Sequence, residues 1–245
     1  MRYVPVMQRA ITQIAVRGAI AMFAAFMFAG CSKIQAQALP PTDALTGLTF
    51  LVYGDSLTQL TRGGTSNVLL AAGAQDVIYL KAYPAFFASE GITDDNGGDS
   101  ARALRFFQTQ DLSGINVVIL NCGLHDMAPP PGSTDPDARR VPPRQFINNL
   151  RAIADICDAN GIDIIWRELY ATQDTVVAYR NEDRVREYRA LAHVALDGRA
   201  RFVDAYQYTE NHKLYYKPDG VHMNSIDANA VGQIIGGAIL GLGLN

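Results

Sequence analysis

The chain has 245 residues, 49% of them hydrophobic and 18% charged, and carries a formal net charge of −3. This is globular composition, long enough for one domain with a substantial core, which sets aside a disordered chain. A mildly acidic balance lacks the clustered Lys and Arg that phosphate binding requires, so no nucleic acid is expected as a partner.

Arg2, Arg9 and Arg17 precede a charge-free apolar run that ends at Gly30, directly before Cys31. The run is shorter than the roughly 20 residues a bilayer span needs, and the layout is that of a signal peptide over residues 1–30. Ala29 and Gly30 before Cys31 resemble the lipobox of bacterial lipoproteins, although Phe28 stands where that motif usually has Leu. The resemblance implies lipidation of Cys31 and a membrane anchor in the cell envelope, periplasmic or outer-membrane-attached. Ordinary secretory cleavage nearby is the alternative, and both readings export the protein. Removal of residues 1–30 takes away three Arg and no acid, moving the formal charge from −3 to −6. A tether over residues 31–46 would then lead into one domain over 47–245.

Within that domain, short apolar runs at 48–53, 117–121, 162–166 and 201–204 read as buried strands. Helical patterns follow at 100–108, 143–160, 181–196 and 226–240; in the second, Phe146, Ile147, Leu150, Ile153 and Ile156 recur three or four residues apart as one buried stripe. Residues 66–90 fit either a broken pair of helices or a helix and a strand. Residues 127–144 are rich in Pro and turn formers and form a long loop. Alternation of strands and helices predicts an α/β fold, a parallel sheet covered on both faces, with its site beyond the C-terminal ends of the strands.

The cysteines left after Cys31 are Cys122, closing a strand, and Cys157, late in a helix. Two separate buried thiols are expected in preference to a bridge. No CxxC or HExxH spacing calls for a metal, and no cofactor is implied.

Ser56, in Leu51-VYGDSLTQ-Leu60, follows a strand and precedes a helix. It is either an N-cap or a nucleophile. A nucleophilic hydroxyl needs a base, usually a histidine oriented by a carboxylate. His222 has Asp219 three residues before it on one loop, a spacing that also occurs in any solvated turn. His125 directly follows a strand beside Asp126, either as a structural histidine bonded to Asp126 or as part of a site. His193 reads as a surface or core residue of its helix, and His212 as a solvated loop residue.

Gly54-Asp55-Ser56-Leu57 after a strand, Gly98 in Asn96-Gly-Gly-Asp-Ser100, Gly123-Leu-His-Asp126, and Asp219-Gly-Val-His222 resemble, in order and spacing, the four blocks of SGNH hydrolases, also called GDSL esterases. The resemblance runs from about Leu48 onward and implies a three-layer α/β/α, flavodoxin-like fold. It also implies Ser56 as nucleophile, His222 as general base, Asp219 as its orienting carboxylate, and an oxyanion hole of the Ser56 and Gly98 N–H groups with the residue at 125. Asp55 and Asp126 would be supporting residues. The family's third block usually reads GxND, its Asn donating to the oxyanion, and here that position is His125. An imidazole N–H can replace an amide N–H; Asp126 or a backbone carbonyl is expected to hold the other ring nitrogen. No GxSxG elbow is present.

The expected function is that of an exported serine esterase acting on a small-molecule or carbohydrate ester, foremost an O-acyl carbohydrate. Lysophospholipase, thioesterase or acyltransferase chemistry is the alternative on the same fold, and a non-catalytic envelope binding protein is the alternative from another class. Arg139, Arg140 and Arg144 are candidates to meet an anionic or hydroxyl-rich group. Trp166, Tyr215 and Tyr216 are candidates to stack on a sugar, with Trp166 read foremost as core.

Overall fold

The computed structural model describes residues 44–91, 96–135, 137–172, 180–211 and 216–244. The expected signal peptide, Cys31 and most of the tether lie outside the described residues, as do His212 and Tyr215. The fold is already in place at Leu45, which is buried and donates its N–H to Ala72 O at 3.1 Å, and at Thr46, which bridges Ala74.

In chain order the elements are β1 (Thr49–Tyr53), α1 (Ser56–Ala71), β2 (Asp76–Tyr79), a 3-10 turn (Leu80–Ala82), α2 (Pro84–Ser89), α3 (Ser100–Thr109) and β3 (Val117–Leu120). They continue with α4 (Pro143–Ala159), β4 (Asp163–Arg167), α5 (Glu182–Leu196), β5 (Ala200–Val203), α6 (Tyr206–Asn211) and α7 (Ser225–Leu240). The strands form one parallel sheet in the order β2-β1-β3-β4-β5. Its register pairs Leu51 with Ile78 on one side and with Val118 on the other, then Val118 with Ile164.

Parallel strands need crossovers, and the crossover helices cover both faces. Accordingly β1 and β3, in the middle of the sheet, are apolar and buried at every position, while the edge strands β2 and β5 carry Asp76 and Arg201 and are half-exposed. Helices α1 and α7 pack on each other, and α3, α4 and α5 pack side by side. This is the flavodoxin-like three-layer arrangement expected from the sequence.

Each expected strand and helix is present, its ends within a residue or two of expectation. Between 66 and 90 the helix-and-strand alternative holds: α1 runs to Ala71 and β2 follows, before the 3-10 turn and α2. In α4, Phe146, Leu150 and Ile153 are buried as expected, joined by Asn149, Ala154 and Cys157, whereas Ile147 and Ile156 are only partly covered. Trp166 is wholly buried, its ring edge-on to Phe146 at 6.5 Å, and therefore presents no face to a substrate. Cys122 and Cys157 are separate buried thiols; burial pushes Cys122 well above its ordinary pKa and Cys157 up to about 12. Neither is a reactive thiolate.

Candidate active site

The chain leaves β1 through Gly54 and Asp55 and turns into α1. Asp55 has extended backbone and its Oδ1 accepts the N–H groups of Leu57 at 3.0 Å and Thr58 at 3.3 Å. The helix cap is therefore Asp55, and Ser56 is the first helical residue. Its own N–H, one of the unsatisfied donors of a helix start, makes no hydrogen bond among the described residues. Its side chain projects away from the helix, with Oγ 2.8 Å from His222 Nε2.

His222 stands on the loop before α7, whose N-cap is Asn224. Asp219 turns that loop back on itself: Oδ1 accepts the backbone N–H of Val221 at 2.9 Å and of His222 at 2.8 Å, and Oδ2 lies 2.9 Å from His222 Nδ1. A carboxylate there holds the proton on Nδ1 and leaves the Nε2 lone pair for the Ser56 hydroxyl. Desolvation raises the Asp219 pKa, but the two backbone donors and the imidazole outweigh it and bring the carboxyl down to about 2. Asp219 is ionised across the whole working range.

Beneath Ser56 lies a buried charge that no local pattern in the sequence announces. Arg167, the last residue of β4, is buried with its Nη2 3.6 Å from Asp55 Oδ1. Nη1 donates to Tyr170 Oη at 2.7 Å, and the guanidinium lies over the Tyr170 ring at 4.5 Å. Asn121, just past β3, links the strand ends: its N–H donates to Tyr53 O at 2.9 Å and its Nδ2 to Arg167 O at 2.8 Å. A single Arg closing an apolar run was the one available sign, and such a residue equally reads as a strand end reaching solvent.

Opposite His222 is the oxyanion side. Gly97 donates to Gly54 O at 2.9 Å and accepts from Tyr53 Oη at 2.8 Å. A Cβ at Gly97 would lie 2.7 Å from Gly54 O, so the loop reaches the end of β1 only because that residue is glycine. Gly98 follows at φ +70°, and its N–H donates to Asn96 Oδ1 at 2.9 Å. To serve an oxyanion, this N–H must exchange its Asn96 partner for the substrate.

His125 is partly buried. Burial holds its pKa below the ordinary value; the charges of Arg180 and Arg140 act in the same direction, against Asp55 and Asp99. Its imidazole is therefore neutral near pH 7. The expected Asp126–His125 pair does not form: Asp126, wholly buried, turns its carboxyl to Ser100 instead, accepting the Ser100 N–H at 2.9 Å and the Ser100 hydroxyl. The cause is α3, whose start at Ser100 presents N–H and O–H donors to the buried carboxyl. Burial drives the Asp126 pKa up to about 7, partly offset by the Ser100 donors, with Asp99 adding to the rise.

The remaining candidates divide. Arg139 pairs with Glu187 at 2.7 Å, away from the Gly98 loop, whereas Arg140 Nη1 is 4.0 Å from Asp99 beside it. Arg144 is exposed at the start of α4. Tyr216 spends its hydroxyl on Ala171 O at 2.5 Å. His193 pairs with buried Glu168 at 2.5 Å and stacks on Phe202, a structural role. Among the described residues no cluster of His, Cys, Asp or Glu could hold a metal ion, and no helix is long and apolar enough to cross a membrane.

Solved structures share this architecture. A lipase/acylhydrolase from Enterococcus faecalis superposes with a TM-score of 0.59 at 16% identity, covering 80% of this chain and 96% of its own. The likeness is one of fold. A GDSL-like lipase from Bacteroides thetaiotaomicron matches with a TM-score of 0.50 at 19% identity, over 85% of this chain and 94% of its own. An acetylxylan esterase from Geobacillus stearothermophilus matches with a TM-score of 0.54 at 13% identity, over 82% and 96%. No protein-family model and no curated protein matches the chain.

Proposed function

We propose that this protein is a serine ester hydrolase of SGNH type, exported and held in the cell envelope through Cys31, that removes acyl groups from carbohydrate. The observation that carries the reading is the relay from Ser56 Oγ to His222 Nε2 at 2.8 Å and from His222 Nδ1 to Asp219 at 2.9 Å, with the helix cap supplied by Asp55. A binding protein on this fold has no use for a hydroxyl, an imidazole and an ionised carboxylate in series. The fold neighbours include both an acetylxylan esterase and lipases, and the polar frame of Arg140, Asp99 and His125 favours a hydroxyl-rich alcohol over a long acyl chain.

In this mechanism the Ser56 hydroxyl attacks the ester carbonyl carbon as His222 Nε2 takes its proton. Asp219 steadies the imidazolium. The tetrahedral oxyanion receives the Ser56 N–H, the Gly98 N–H released from Asn96, and an N–H of neutral His125. His222 returns the proton to the leaving alcohol, giving an acyl-Ser56 intermediate. Water, deprotonated by His222, then frees the acid.

The test is time-dependent labelling of the purified protein by a fluorophosphonate, with Ser56→Ala as control, alongside turnover of acetylated xylo-oligosaccharide and p-nitrophenyl octanoate. Ser56-dependent labelling with preference for the acetyl sugar is expected. No labelling of folded protein would refute the esterase, and preference for octanoate would move the substrate to lipids. Incorporation of labelled palmitate that disappears in Cys31→Ala would bear out the anchor.

A further inference from the structure

Asp126 sits one residue past His125, and Ser100 two residues past Gly98. The two loops come from different crossovers, yet they meet at one carboxyl. Asp126 Oδ1 and Oδ2 accept the Ser100 N–H at 2.9 and 3.1 Å, and Oδ1 also accepts the Ser100 hydroxyl. Ser100 Oγ in turn accepts from Asn149 Nδ2 on α4 at 3.0 Å. Each end of this brace is itself anchored. Asp126 O accepts the Val141 N–H at 3.1 Å, and Gly97 is tied to Gly54 and Tyr53 as described above.

A carboxyl with no solvent exposure is costly to bury unless it is hydrogen-bonded. An apolar residue of that size would pack at less cost but could accept neither Ser100 donor, so the carboxyl is retained for the connection it makes. We infer that Asp126 is the positioning residue of the oxyanion hole: through Ser100 it clamps the Gly98 loop to the His125 loop and fixes the separation of donors that the two loops supply. The inference rests on the esterase reading. Donors stabilise the tetrahedral oxygen only at about 2.7–3.1 Å from the place it will occupy. A misplacement of about 1 Å costs on the order of 10² in rate. Because the oxyanion exists only in the transition state, a loosened clamp lowers kcat and leaves KM in place.

The experiment uses the full chain with Asp126→Leu and Ser100→Ala, read by p-nitrophenyl acetate kinetics and by amide hydrogen exchange. Both variants are expected to lose about 10- to 100-fold in kcat, with KM little changed. Exchange at residues 97–101 is expected to accelerate while α1 and α7 keep wild-type protection. If Asp126→Leu does not fold, Ser100→Ala decides, since it removes only the hydroxyl of the brace. Unchanged kcat and exchange in folded Ser100→Ala, or a rise in KM at constant kcat, overturns the clamp. Exchange is read without substrate. A wild type lacking Ser56-dependent turnover would therefore overturn the esterase while exchange at 97–101 still decides the brace.

Discussion

On the base side of the site, Asp219 and His222 are three residues apart and share one loop, and Asp55 caps residues two and three positions beyond itself. On the oxyanion side the bonds that matter join Ser100 to Asp126 across 26 residues and to Asn149 across 49. The base side is half-exposed and its charge is stabilised by local donors, which bring Asp219 down to about 2. The oxyanion side is buried, and there desolvation dominates, raising Asp126 and lowering His125. One wall is built by short-range turn chemistry, the other by tertiary packing.

That contrast is broken most severely at the local wall. Ser56→Ala and His222→Ala are expected to lower kcat on the order of 10⁴–10⁶, read by p-nitrophenyl acetate hydrolysis. Residual turnover within tenfold of wild type would place the nucleophile elsewhere. His125→Ala removes one donor and is expected to cost about 10²–10³ in kcat. His125→Asn retains an N–H donor and should recover most of that loss. Because His125 is neutral near pH 7, its Asn variant should keep the wild-type pH profile. An alkaline decline present in wild type and lost in His125→Asn would require a charged donor.

Stability distinguishes the walls next. Arg167→Met leaves Asp55 buried without its partner, a change expected to cost about 3–5 kcal/mol in chemical denaturation. The smallest effect is a drift with pH. Asp126 has a folded value of about 7 against an ordinary 3.8, so the stability tied to its proton is complete below pH ~4 and is lost as pH rises through ~7. Asp126→Asn, which cannot ionise, should gain on wild type over that interval. Parallel urea midpoints at acid and alkaline pH would remove this account of Asp126.

Legibility followed the same division. Central strands such as Phe50-Leu-Val-Tyr53 and Val117-Val-Ile-Leu120 are buried on both faces and announce themselves as apolar runs, whereas β2 at the sheet edge runs from exposed Asp76 through half-exposed Val77 and Ile78 to buried Tyr79, with no comparable signal. Asp219 and His222 are close enough in sequence for their pairing to be visible, but only the order and spacing of the four resembling blocks linked them to Ser56, 166 residues from His222. Arg167 and the Ser100–Asp126–Asn149 brace were not legible, since nothing local says which distant backbone a buried Arg or Asp will face. Of the two supports expected for the His125 ring, Asp126 or a backbone carbonyl, Asp126 is turned to Ser100 instead, because a buried carboxyl takes the donors that tertiary packing brings to it.

Helices α1 and α7 begin beside Ser56 and His222 and cross at nearly bare backbone. A Cβ on Gly64 would lie 2.1 Å from Asn229 O, and one on Gly232 2.2 Å from Thr61 O, while Thr65 Oγ1 donates to Gly232 O at 3.1 Å. Ser56 and His222 thus lie 166 residues apart in the chain, joined by a contact with no slack. During synthesis Ser56 leaves the ribosome long before His222, so under the proposed esterase mechanism the hydroxyl has no base until α7 docks against α1. On that proposal, acyl-transfer competence is a mark of correct closure of α7 on α1.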